Sequence, residues 1–172
     1  MSAPRVAVVV GNPKPASRTL AAARHVAREL VGEPDLAGLG AALLDRSDPT
    51  VSGLVDEVGA ADLVVVACPT YKGAYTGLLK LFLDRFASGP EGGLRGIAVP
   101  VMLGAGPGHA LAPELTLRPV LTEIGAIVPV KGLYVLDAAY DDPDAYAHWL
   151  ALARPVVTAL LDRLPHRTGA TA

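Results

Sequence analysis

The chain has 172 residues, enough for one domain with a sizeable core. Of these, 51% are hydrophobic and 19% charged, which excludes general disorder. A net charge of −2 with no basic tract argues against nucleic acid and anionic membranes as partners. The one cysteine, Cys68, has no intramolecular partner for a disulfide, which fits a reducing cytoplasm.

The first element is the β-branched run Val6–Val10, a strand pattern suited to burial on both faces. It is too short for a signal peptide or a membrane span, and no other apolar run approaches 18 residues. The polar loop "GNPKPASRT" follows, and Ser17 is placed to cap a helix running to about Leu30. A weaker strand is expected at 41–44 and a short helix at 51–59. "DLVVVAC", residues 62–68, is the clearest strand pattern. The loop "PTYKGAYTG" then leads into a helix over about 76–86. "GIAVPVML", residues 96–103, is a further buried run, and Pro100 inside it suggests an edge strand or a bulge. After "GAGPGH" a helix is expected over 110–124. Residues 126–136 read as one interrupted strand or two short ones, and a last helix spans about 144–164.

Strand and helix alternate five times. This predicts an α/β fold, a doubly wound sheet of five parallel strands with helices on both faces. One domain is expected over residues 1–165, with a frayed tail at 166–172. In such sheets ligands bind beyond the carboxyl ends of the strands. Three loops with unusual chemistry leave those ends: 11–19, 69–77 and 104–109.

The first loop offers the Asn12 amide, Lys14, the hydroxyls of Ser17 and Thr19, Arg18 and the free N–H groups of a helix start. These suit a phosphate, although a capped, solvated turn uses the same residues. It is not a Walker loop. In the second loop, Gly73 and Gly77 allow close approach of a flat ligand, and Tyr71 and Tyr75 can border a ring. Cys68 reads as a small buried residue rather than a nucleophile. Lys80, Asp84 and Arg85 read as the solvated face of the next helix. The third loop is not a dinucleotide fingerprint, because the last glycine of GxGxxG is replaced by His109. Gly104 and Gly106 instead suggest a turn passing close under a ligand, and His109 is either a ligand contact or a helix cap. His25, His148 and His166 are scattered without metal-ligand spacing, so no metal site is expected.

These motifs resemble the NADPH-dependent FMN reductases of flavodoxin-like fold, in particular the small reductases of two-component alkanesulfonate monooxygenase systems. The resemblance covers about residues 5–136. "GNPKPASRT" is similar to their "GSPR..SRS" phosphate loop. Asn12 stands at the Ser position, Lys14 at the Arg position, and Ser17, Arg18 and Thr19 at Ser-Arg-Ser. "PTYKGAYTGLLKLFLD" resembles their "P-x-Y-K-x-x-[FY]-[ST]-G-x-[LM]-K" segment, the most specific match. "GAGPGHALAPELTLRPVLTEIGA" resembles their third flavin loop and the helix after it.

The resemblance implies an FMN phosphate on 12–19. It implies a flavin ring framed by Pro69, Thr70, Tyr71, Lys72, Gly73 and Tyr75 and by Gly104, Gly106 and His109. It further implies hydride transfer from NADPH or NADH to the flavin, with no general acid or base from the protein. Lys72 and Arg18 are expected to hold phosphates of the flavin or the reductant. A homodimer or homotetramer and a partner monooxygenase are also implied. The apolar runs "LLKLF" and "LYVL" read either as subunit surface or as core. Flavin-exporting relatives can carry an aromatic or His insertion in the fourth helix, and the aligned position here is Leu115. Competing readings are a flavin-bound quinone or azo-dye reductase, a flavodoxin-type electron carrier and a flavin-free domain of the same fold.

Overall fold

The computed structural model describes residues 3–32, 49–89 and 93–163. Among the described residues the sheet has four parallel strands in the order β1 (Val6–Val10), β2 (Leu63–Pro69), β3 (Ile97–Gly104) and β4 (Leu133–Leu136). The sequence pattern predicts five strands. The remaining one, at 41–44, lies outside the described residues, as does the tail at 166–172. The helices are α1 (Arg18–Val31), α2 (Pro49–Gly59), α3 (Gly77–Leu83), α4 (Arg118–Glu123) and α5 (Asp144–Leu161).

The strand period of two sorts the apolar residues between two cores. Val8, Val65, Ala67, Val99, Val101 and Val135 face α1 and α5. Val9, Val64, Val66, Cys68, Ala98 and Met102 face α2, α3 and α4. Because both faces are covered, β2 is buried along almost its whole length, and no polar position interrupts its valines. Each valine buried this way contributes about 1.5–3 kcal/mol, so a charge at Val65 would break the core.

Helix α1 starts where expected: Ser17 is its N-cap, and its hydroxyl accepts from Leu20 N–H at 3.2 Å. Gly32 ends it with φ 88°, a conformation that costs glycine nothing.

Pro100 occupies neither an edge strand nor a bulge. It pairs with Val66 in β3, between β2 and β4. The ladder itself supplies the reason. Ala98 N–H donates to Ile127 at 2.8 Å, and two residues later the Pro100 nitrogen points the same way. There the neighbouring chain has left the ladder: Ile127 makes an isolated bridge, and β4 pairs only from Val101 onward. The missing N–H therefore removes no β3–β4 ladder bond. The 126–136 segment is thus two short pieces rather than one strand. Between them, Arg118 donates to the carbonyls of Val130 at 3.0 Å and Val128 at 2.7 Å.

The expected 110–124 helix is also broken. A π-helix spans Pro113–Leu117 before α4, and Arg118 N–H reaches back to the Pro113 carbonyl. Pro119 has no N–H with which to close an α-turn onto Leu115, and its ring opposes that geometry. The wider turn accommodates both facts. Leu115 stands 70% exposed on it. Of the two apolar runs read either as subunit surface or as core, Leu79, Phe82, Leu133 and Val135 are core, and Leu81 and Leu136 are exposed large hydrophobics.

Among the described residues no helix is long and apolar enough to cross a membrane.

Candidate functional site

Parallel strands place the loops that leave β1, β2 and β3 at one end of the sheet. The ladder continues into them: Gly11 N–H donates to Ala67 at 2.8 Å, and Thr70 N–H to Leu103 at 2.6 Å. The three loops therefore start from fixed points.

The first loop is ordered by its own side chains. The Asn12 amide donates to Thr19 Oγ1 at 3.2 Å, and Asn12 Oδ1 accepts from Lys14 N–H at 3.0 Å. Ala16 adopts φ 52°, a left-handed conformation that costs a non-glycine residue about 1–2 kcal/mol. Such strain persists where the surroundings dictate it, and often marks a binding loop. The result is an N-capped helix start with Lys14 and Arg18 exposed beside it. Thr19, by contrast, is buried at 2% exposure and engaged by Asn12.

The second loop is a miniature hairpin. Tyr71 N–H donates to Ala74 at 2.9 Å, and Ala74 N–H donates back at 3.1 Å. Lys72 and Gly73 both have positive φ, 55° and 82°, the pattern of a primed two-residue turn. Gly73 is therefore required by the turn. Tyr71 is 58% exposed, whereas Tyr75 is half-buried against the core on the α2–α4 face. The two tyrosines are thus in different environments rather than a matched pair. At the start of the loop, the Thr70 hydroxyl is buried and has no hydrogen-bond partner.

The third loop meets the second. The His109 ring lies 3.5 Å from where a Cβ on Gly73 would sit. His109 caps neither neighbouring helical turn, whose N-caps are Gly106 and Ala112. Gly104 is needed for a reason internal to the fold: an added Cβ would lie 2.1 Å from the Tyr134 hydroxyl. That hydroxyl donates to the Gly106 carbonyl at 2.7 Å and holds the loop in place. Gly106 itself faces open space.

Cys68, just below the site, is buried, and burial pushes its thiol up to about 12, so it is protonated and unreactive at neutral pH. Lys80 and Asp84 pair on the exposed face of α3 and its following turn, while Arg85 is half-buried rather than solvated.

Neither Thr76, which opens the expected 76–86 helix, nor Tyr134 is among the expected site residues. Thr76 caps α3 through its hydroxyl, which accepts from Leu79 N–H at 3.2 Å and donates to Gly11 at 2.7 Å. A hydroxyl before a helix signals a cap, but not a partner 65 residues away. Tyr134 lies in "LYVL", where nothing local marks its reach to residue 106.

The residues present suit a flat phosphorylated cofactor. A helix start flanked by cations suits its anionic end, an unpartnered buried hydroxyl at Thr70 suits a polar edge, and open space at Gly106 leaves room.

Fold and site together define a doubly wound α/β domain with a three-loop cleft at the strand ends. The NADPH-dependent FMN reductase family profile matches residues 4–141, and the chain belongs to that family. It is 36% identical over 110 residues to an FMN reductase (NADPH) of Pseudomonas aeruginosa, covering 62% of this chain and 56% of that one. It is 34% identical over 108 residues to the NADH-dependent FMN reductase SfnF of Pseudomonas fluorescens, covering 60% and 55%. The chain spans about half the length of these curated relatives. A third relative, an FMN-dependent NADH:quinone oxidoreductase of Burkholderia thailandensis, is 30% identical over 132 residues, covering 69% and 64%. Among solved structures, apo NADH:FMN oxidoreductase (EMOB) superposes with a TM-score of 0.73 at 25% identity, covering 95% of this chain and 91% of that one. An archaeal flavodoxin superposes at 0.60 with 15% identity, covering 91% and 98%, which supports the flavodoxin-like fold.

Proposed function

We propose that this protein is an NAD(P)H-dependent FMN reductase. The observation that carries the reading is the buried, unpartnered Thr70 hydroxyl inside a frame of three interlocked loops. Family membership and the names of the relatives support it.

When bound, FMN supplies the hydride-accepting ring. The chain's own part is binding and orientation. The start of α1, with Asn12, Lys14, Ser17, Arg18 and Thr19, is the proposed phosphate cradle, in which Asn12 and Thr19 brace each other. Pro69, Thr70, Tyr71, Lys72, Gly73 and Tyr75 frame one side of the ring, and Gly104, Gly106 and His109 the other. Tyr71, the exposed aromatic, offers a stacking surface. Lys72 is the cation at the hairpin tip, available to phosphates of the reductant. No side chain is assigned as general acid or base, because hydride transfer between stacked rings needs proximity rather than proton transfer.

Homodimer or homotetramer formation goes with this reading, supported by the exposed Leu111, Leu115 and Leu152. So does a cytoplasmic setting, supported by the lone buried thiol. A flavin-dependent monooxygenase as electron acceptor, or a quinone, as in the Burkholderia relative's name, are the two destinations proposed for the electrons.

The test is to titrate apo-protein into FMN, follow quenching of flavin fluorescence, and record NADPH and NADH oxidation in the same samples. Binding with turnover is expected. Absence of FMN binding overturns the proposal, and binding without nicotinamide oxidation turns it into a flavodoxin-type carrier.

A further inference from the structure

The Arg18 guanidinium lies over the Tyr140 ring, 5.8 Å from its centroid. Arg18 is the first residue of α1, and Tyr140 follows the turn after β4, so the two come from opposite ends of the chain. Tyr140 is not a loose surface ring. It is half-buried and packs against the α1–α5 core. Its carbonyl accepts the Tyr146 hydroxyl at 2.6 Å. Tyr146 is 1% exposed, and its ring sits 4.5 Å from that of His25, two turns along α1 from Arg18. The same helix that carries Arg18 thus anchors the segment that carries its aromatic shelf.

We infer that Tyr140 is a positioning residue for Arg18, holding its guanidinium beside the α1 N-terminus ready for the flavin phosphate. The inference rests on the proposed phosphate cradle. A free arginine on an exposed helix start loses rotamer freedom when it binds an anion. A guanidinium already held over a fixed ring has lost part of it beforehand, and an aromatic ring accepts none of its N–H groups as strongly as a phosphate does. Tyr140 acts only through charge at Arg18, so its effect must be confined to ligands that carry the phosphate.

The test compares FMN with riboflavin, which lacks the phosphate, by fluorescence quenching in full-length wild type, Tyr140→Leu, Tyr140→Phe, Arg18→Ala and the Arg18→Ala/Tyr140→Leu double variant. Wild type should prefer FMN. Tyr140→Leu should weaken FMN about threefold and leave riboflavin unchanged, Tyr140→Phe should restore the wild-type value, and Tyr140→Leu should have no effect once Arg18 is alanine. Should Tyr140→Leu not fold, Tyr140→Met removes the ring with an unbranched side chain that adapts to the gap. Unchanged FMN affinity in Tyr140→Leu, equal losses for both flavins, or a loss that persists without Arg18 overturns the inference while the cradle stands. A wild type that binds both flavins equally overturns the cradle and the inference with it.

Discussion

Thr76 Oγ1 donates to the carbonyl of Gly11 at 2.7 Å, and the same hydroxyl caps α3. A Cβ on Gly11 would lie 2.5 Å from Leu79 Cβ and 2.9 Å from that hydroxyl. The end of β1 is therefore seated directly on the start of α3, and the loops after β1 and β2 are set relative to each other by this contact. Gly11→Ala forces the two apart. It should cost about 1–3 kcal/mol of stability, the usual range for overpacking, and weaken FMN as well. Denaturant midpoints and flavin titration check both.

The Thr70 hydroxyl separates apo stability from cofactor binding. Buried without a partner, it contributes no hydrogen bond to the apo fold. Thr70→Val should leave apo stability unchanged or raise it by up to about 1 kcal/mol, because a desolvated polar group is removed. FMN binding should weaken about tenfold if the hydroxyl serves the ligand. Urea denaturation of apo-protein beside an FMN titration reads both, and equal FMN affinity in the variant removes Thr70 from the site.

Gly104 and Tyr134 should behave as a coupled pair. Tyr134→Phe loses the 2.7 Å bond to Gly106 and should cost about 0.5–1.5 kcal/mol. Gly104→Ala places a methyl against the Tyr134 hydroxyl and should cost more. Together they should cost less than the sum, because the hydroxyl that clashes is gone. Thermal or urea denaturation of the four proteins tests the coupling, and strict additivity would show that Tyr134 does not contact this glycine in solution.

Cys68 carries a pH dependence whose sign follows from burial. Its folded pKa is raised to about 12 from 9.0, so above pH 9 the unfolded chain gives up a proton that the folded one keeps. This contribution is fully present below pH 9 and is lost as pH rises toward 12. Its slope is about −1.4 kcal/mol per pH unit within that window. Tyrosines and lysines titrate there too, so the measurement is the difference between wild type and Cys68→Ala. Urea denaturation at pH 8, 9 and 10 should show the variant losing stability more slowly. Parallel curves would mean that the thiol ionises as easily in the folded state as in the unfolded one.

Much of this was legible in the chain because it is local. The runs Val6–Val10 and 62–68 report burial on both faces, and Ser17 reports a helix start through a bond to a residue three positions on. The glycines of "PTYKGAYTG" announced a turn, and the structure has one there. The sequence by itself thus determined the alternation of elements, the doubly wound architecture, the positions of the three loops and the family. What lay beyond it depends on distance in space. The placement of Pro100 in an interior strand depends on where a neighbouring strand breaks off, and the π-turn at Pro113–Leu117 on the following proline combined with packing. The Thr76–Gly11, Tyr134–Gly106 and Arg18–Tyr140 contacts join residues 65, 28 and 122 positions apart. No periodicity encodes such contacts. They exist because parallel strands bring every carboxyl-end loop to one side of the sheet, where side chains from distant segments meet and fix one another.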